Sequence, residues 1–392
     1  MTIAAVEAIP LAVRFCDWYG GAENVPEAVA RPAAHFQSLP RSGQFSTLVK
    51  ITDIAGRTGW GEAWGLPVAR AAASIVDEVF APYLIGRNAL DIGSHHQRLL
   101  DYGRRMGHSA SFWVEALSGV DIALWDLRGK AANRSCADLL GERRRSAVKC
   151  YASPVPFCAT PAESVARTRE FLARGFRALK VKSGRGIETD RRHLEAIREA
   201  VGPDIALMVD VNGGYDVPTA RGFLKTLEPL RVAWLEEPVP CGDLAGLRAL
   251  RNESGIAIAA GENLSAIDDF RRMFDAGAVD VINPNVTRCG GFTSLRSLAA
   301  EAESAGVRVS LHGVGSVLTQ AASVAFMSTL TADERFEFNL FPNPLRDELA
   351  GAPLACCGEV DVPRGPGLGV VPSERSIARF RDSNSCSWPI AR

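Results

Sequence analysis

In the second half of the chain, apolar runs of strand length alternate with stretches in which apolar residues recur every three or four positions. The runs fall at 147–152, 177–182, 205–211, 231–236, 256–261, 279–283, 307–311 and 334–339. Helical patterns lie between them, such as 190–201, where Leu194, Ile197 and Val201 share a face. Eight strands separated by helices predict an α/β fold, a closed parallel (β/α) barrel of TIM type. The first part of the chain differs. Residues 2–15 read as a strand, and 46–52 with 58–63 as a hairpin around Asp53-Ile54-Ala55-Gly56. Helical patterns follow at 67–85, 91–104 and 110–132; in the last, Trp113, Leu117, Val120, Leu124 and Leu127 step along one face. These patterns predict an α+β domain over 1–140, the barrel over 141–355, and a tail over 356–392 that returns to the first domain. Residues 16–45 carry no periodicity and are long for a loop, so they are expected to form a lid over a functional cavity.

Three of the barrel runs stop on a carboxylate: Met208-Val209-Asp210, Trp234-Leu235-Glu236 and Ala259-Ala260-Gly261-Glu262. Asp210, Glu236 and Glu262 are 26 residues apart in turn, the length of one strand, one helix and two short loops. Strand C-termini converge on a single cavity in a barrel, so the three acids would face one another. One carboxylate at a strand end is commonly a helix cap, but three at equal spacing point to a cation held among them. An all-oxygen set selects a hard dication, Mg²⁺ before Mn²⁺, and not zinc. Of the pair Glu236-Glu237, the first is taken as the ligand because it directly follows its apolar run.

Composition narrows the class. With 392 residues, 44 Lys plus Arg against 45 Asp plus Glu, and 47% hydrophobic residues, two domains with large cores are expected and no electrostatic footprint for nucleic acid exists. No apolar stretch is long enough to cross a bilayer, and no secretory pattern opens the chain, so a cytoplasmic protein is expected. Nine scattered cysteines without metal-ligand spacing read as reduced thiols. Cys289, nearest the cavity, reads as a small buried residue.

Further groups would share the rim. Lys180 and Lys182 sit two apart at the end of the second strand and so point to one face, where mutual repulsion would lower at least one pKa towards that of a general base. His312 alone among six histidines follows a strand-like run, on the seventh strand, opposite the second. Glu337 on the eighth is either a protonated donor to a developing oxyanion or an ion-pair partner. Asn212 shares a face with Asp210 and is expected to touch substrate or metal-bound water. Metal, base and opposing acid suggest removal of a proton α to a carboxylate through an enediolate. Reprotonation then gives an epimer, whereas loss of a β-hydroxyl gives a dehydrated keto acid.

Lys180-Val181-Lys182, Asp210 with Asn212, Glu236-Glu237-Pro238, Gly261-Glu262-Asn263, Arg288-Cys289-Gly290-Gly291, His312 and the stretch Ala116 to Asp126 with Gly129-Lys130 form an ordered set. On these the chain resembles the mandelate racemase subgroup of the enolase superfamily. The resemblance implies a modified barrel capped by the N-terminal part plus the tail. It also implies one Mg²⁺ on Asp210, Glu236 and Glu262, an acid-sugar carboxylate as substrate, Lys182 as base, His312 as second acid/base, and a homo-oligomer, dimer or octamer. One position departs from the pattern: Asn285 stands where the family has an aspartate paired to the histidine. Its amide oxygen is expected to orient the ring without stabilising imidazolium. Dehydration started by Lys182 is therefore expected first and epimerisation second, with an inactive metal-binding homologue as the reading of another class. The cycloisomerase branch, which implies a lysine near position 285, resembles the chain less. Substrate specificity is expected from 16–45, including Trp18 and Tyr19, and from Asn212 and Asn285.

Overall fold

The computed structural model describes residues 1–351 and 353–382; the last part of the tail, 383–392, lies outside them. Strands β1 (Ile3–Arg14), β2 (Gly43–Asp53) and β3 (Thr58–Trp64) form an antiparallel sheet in that order. The β2–β3 turn is tight because the Asp53 carboxylate accepts from the N–H groups of Ala55 and Arg57 while Gly56 takes φ 78°. The helix Phe112–Ala132 lies across this sheet at unusually close range: a Cβ on Gly61 would stand 2.1 Å from Gly119 O. Its apolar stripe predicts one buried face, yet residues 113–127 are buried all round. The reason is tertiary, since the cap sheet covers one side and the barrel helix Gly291–Ser304 the other.

The barrel strands are β4 (Ala147–Val155), β5 (Ala178–Lys182), β6 (Ala206–Asp210), β7 (Trp234–Glu236), β8 (Ala257–Ala260), β9 (Val281–Ile282), β10 (Arg308–Val309) and β11 (Phe336–Asn339). They are parallel and hydrogen-bonded in the order β10-β9-β8-β7-β6-β5-β4-β11. The ring closes through Glu337 N–H to Leu311 O (3.3 Å) and Ser310 Oγ to Arg335 O (2.7 Å). Tyr151, Ala178, Met208, Trp234, Ala259 and Val281 fill one layer inside it. Parallel register sets Lys182 beside Asp210 and Asp210 beside Glu236, so three chemically active residues end adjacent strands at one height. Several of the following helices start at a side-chain cap, Thr160, Asp216, Asp243 and Ser316 among them.

Past residue 356, β12 (Glu359–Asp361) pairs antiparallel with β4 of the barrel rather than extending the cap sheet. The helix Glu374–Phe380 then packs on β1, and Asp382 pairs with Arg14 (3.1 Å) and Arg70 (3.0 Å) of the cap.

Candidate active site

A cavity of about 560 Å³ lies between residues 32–44 of the cap and the C-terminal ends of the barrel strands. The structure brings Asp210, Glu236 and Glu262 together, each offering an oxygen within 4.8 Å of the others and all buried, and Glu262 of the three lines the cavity. Asn212 and Glu237, just past their strands, adopt positive φ (49° and 40°), backbone strain concentrated where the site is built. Asn212 lines the cavity; its Oδ1 accepts from Lys182 Nζ (2.5 Å) and its Nδ2 donates to Glu262 (3.0 Å).

Both lysines point inward but do different things. Lys180 is buried beneath the cavity, paired with Glu236 (2.6 Å), Glu337 (3.1 Å) and Asp210 (3.4 Å). Lys182 reaches the cavity wall and pairs with Asp210 at 2.7 Å. The expected depression of a lysine pKa is not found. Burial works in that direction, but Glu236 and Glu337 around Lys180, and Asp210 and Glu262 around Lys182, hold both above the ordinary lysine range. Glu337 is likewise not a protonated donor: burial would raise it, yet the Lys180 ammonium holds it down at about 2, so it is the ion-pair partner of Lys180.

His312 lines the cavity on β10's side, with Nε2 3.6 Å from Glu262 and 3.8 Å from Glu337. On the short way round the ring β4 and β11 stand between β5 and β10, so Lys182 and His312 reach the cavity from different sides. Asn285 is behind His312 and does not line the cavity, which corrects its assignment to substrate. Its amide is also turned the other way from the expectation. Oδ1 accepts from Thr287 N–H (2.9 Å) and Oγ1 (2.7 Å), and Nδ2 donates to Val314 O (2.9 Å), which leaves Nδ2 facing His312 Nδ1 at 3.1 Å. An amide N–H against Nδ1 makes that nitrogen the acceptor, so the neutral ring carries its proton on Nε2, towards the cavity. Burial further holds the His312 pKa below the ordinary histidine range.

Trp18 and Tyr19 do not line the cavity; they pack against each other on the short helix Phe15–Tyr19, with ring centroids 5.1 Å apart and planes tilted by 44°. The residues of 16–45 that do face it include His35, Phe36 and Arg41, with Gln44, Trp64 and Arg288 completing that side. Sequence reasoning expected specificity from 16–45 but did not single out His35, Phe36 or Arg41 there, because nothing in an aperiodic stretch marks which side chain turns inward. Cys289 is buried, with its thiol pushed up to about 12 by burial, and is no nucleophile.

The donor set fits a hard dication. Among the described residues, five buried carboxylates (Asp210, Glu236, Glu237, Glu262 and Glu337) meet two ammonium groups, those of Lys180 and Lys182. The surplus of negative charge shows in Glu237, pushed up to about 8 by burial and by Glu262 and Asp210, and in Glu236, raised well above its ordinary value by burial despite Lys180.

Comparison with known proteins identifies the family. Residues 24–141 match the mandelate racemase / muconate lactonizing enzyme N-terminal domain, and 163–376 the enolase C-terminal domain-like family. The chain is 35% identical over 353 residues to D-galactarolactone cycloisomerase of Agrobacterium fabrum, covering 85% of this chain and 90% of that one. It is 31% identical over 357 residues to D-gluconate dehydratase of Thermoproteus tenax, covering 87% and 71%. Cycloisomerases, the branch that the missing lysine near 285 had set aside, are thus among its relatives. A racemase from Streptomyces coelicolor A3(2) with bound magnesium superposes with a TM-score of 0.85 at 28% identity over 97% of this chain and 100% of that one. No helix among the described residues is long and apolar enough to cross a membrane. By the match of both its domains, the chain belongs to the mandelate racemase / muconate lactonizing enzyme group of the enolase superfamily.

Proposed function

We propose that this protein removes the proton α to the carboxylate of an acid sugar and expels the oxygen on the next carbon, dehydration to a 2-keto-3-deoxy acid being the main outcome. The observation that carries this reading is the pairing of a lysine, Lys182, with a neutral histidine N–H, that of His312, on the wall of one cavity beside three convergent carboxylates. A dication held by Asp210, Glu236 and Glu262, magnesium first, would supply Lewis-acid charge to the substrate carboxylate and offset the anionic surplus that keeps Lys182 protonated.

Lys182, as the free amine, takes the proton, and the electron pair left on carbon delocalises into the carboxylate as an enediolate. The carbon–oxygen bond at the neighbouring carbon then breaks, with its electron pair leaving on oxygen. The Lys182 ammonium returns its proton to that oxygen, water departs, and the enol tautomerises to the keto acid. His312 stays neutral throughout, because an imidazolium would set its Nδ1–H against the Asn285 N–H. Its Nε2–H is free to donate to the oxygen on which charge develops. This arrangement favours elimination over epimerisation, which needs a second base. A second reading is supported by the 35% identity to a lactone cycloisomerase. If the departing oxygen closes a lactone ring, the same steps open the ring without releasing water, and the enzyme is an isomerase.

The test is incubation with Mg²⁺ in D₂O against a panel of acid sugars and their lactones. Keto acid is expected, and Lys182→Met should lower kcat by about 10²- to 10⁴-fold. Deuterium uptake without keto acid would make the enzyme an epimerase. Lactone consumption without water release would make it the isomerase, and full turnover by Lys182→Ala would end the reading.

A further inference from the structure

The cavity wall carries three cations, and two have carboxylate partners: Lys182 pairs with Asp210 (2.7 Å) and Arg288 with Glu115 (3.2 Å). Arg41, from the cap, has none among the described residues. Its guanidinium is held between the rings of Phe15 and Phe36, 5.6 and 5.8 Å from their centroids. One Nη donates to Gln44 Oε1 at 2.8 Å, and Gln44 is itself fixed by donating to Pro342 O (3.1 Å). The Arg41 Nε is buried without a partner. Burial alone, unopposed by any acid, draws the Arg41 pKa down to about 10. A guanidinium that is preorganised, partly buried and uncompensated by any acid, facing a cavity, is matched by an anion of planar, two-oxygen geometry.

The negative pole of the same cavity is at the barrel mouth, where Glu262, Asn212 and Lys182 line it. We infer that Arg41 binds a second carboxylate of the substrate, at the end remote from the reacting carbon, and that the substrate class is the dicarboxylic acid sugars. This rests on the reading above, in which the first carboxylate is the one at the barrel mouth. The cavity volume, about 560 Å³, suits a six-carbon diacid. The alternative is that Arg41 only fastens the cap segment, to which its own N–H to Ala30 O (2.8 Å) also contributes.

The two roles separate in a comparison of galactarate with galactonate, equal in length and differing in the distal carboxylate, on the Mg²⁺-loaded protein. The wild type should prefer galactarate, and Arg41→Met should reduce the ratio of kcat/KM values for the two acids by about 10- to 100-fold, through KM. Arg41→Lys should restore part of the ratio. Calorimetric binding of glutarate against valerate repeats the comparison without turnover: the wild type should bind glutarate more tightly and Arg41→Met should lose the difference. Equal losses for both members of each pair, or a wild type preferring the monoacids, would overturn the assignment. If no sugar acid reacts at all, the proposed chemistry falls, and the glutarate arm still decides the role of Arg41.

Discussion

Glu62, on the seam between cap and barrel, accepts hydrogen bonds from Ser46 Oγ, from Ser316 N and Oγ, and from Thr319 N and Oγ1, at 2.5 to 3.3 Å. These donors include the first turn of the helix Val317–Met327, whose dipole favours the negative charge. At the barrel mouth, some of the carboxylates have few donors among the described residues: Glu262 accepts from Asn212 Nδ2, and Glu237 accepts long bonds from Asn263 Nδ2 (3.3 and 3.5 Å). Both sites are buried, yet one carboxylate is saturated by dipoles and the others crowd their own kind. The difference separates an acid that joins two domains from acids kept ready for a ligand, because only unsatisfied charge leaves binding energy for something that arrives later.

The contrast can be broken most directly at the seam. Glu62→Gln keeps the shape but turns an NH₂ group towards a ring of donors, and it should destabilise the protein by about 3–5 kcal/mol in chemical denaturation. A loss below about 1 kcal/mol would mean that the saturation is not structural. The mouth should respond to ligand instead. Mg²⁺ at about 100 times its Kd should stabilise the wild type by about 2.7 kcal/mol. Glu236→Gln should lose that stabilisation while the Glu62 variant retains it, and a Glu236→Gln protein that gains as much as wild type would remove Glu236 from the set.

The smallest effect is expected at Glu115, which stands between the two cases. It has one partner, Arg288, and one buried oxygen with none. Burial pushes its pKa up to about 7 from an ordinary 4.5, although Arg288 opposes the shift. The folded state therefore holds a proton that the unfolded chain has lost. Its contribution to stability is complete below pH 4.5 and disappears as pH rises through 7. The stability difference between wild type and Glu115→Gln should accordingly change across that window, with the wild type losing ground as pH rises. Parallel pH profiles would show that Glu115 does not titrate there.

How much of this is legible in the sequence differs by region. The even spacing of Asp210, Glu236 and Glu262 reports the βα period, and alternation along β5 turns Lys180 and Lys182 the same way; both are local regularities, and a single sequence displays them. The depth difference between those lysines, one buried under the acids and one at the wall, is not local. Neither is the side of the Asn285 amide that meets His312, which Thr287 and Val314 decide. Trp18 and Tyr19 drew notice as aromatics in a long segment, whereas the inward-facing residues there are His35, Phe36 and Arg41.

By itself, then, the order of apolar and polar residues determined the strand count, the height at which the acids stand and the kind of ion they suit, because period and alternation follow from backbone geometry within a few residues. Only the tertiary structure decided the charge state of the lysines and Glu337, the proton position on His312, and the isolation of Arg41. Those depend on which groups come within a few ångströms, and contacts such as Gln44 to Pro342 join residues 298 apart in the chain. Electrostatic energy varies with such distances and with burial, neither of which is written in the local pattern.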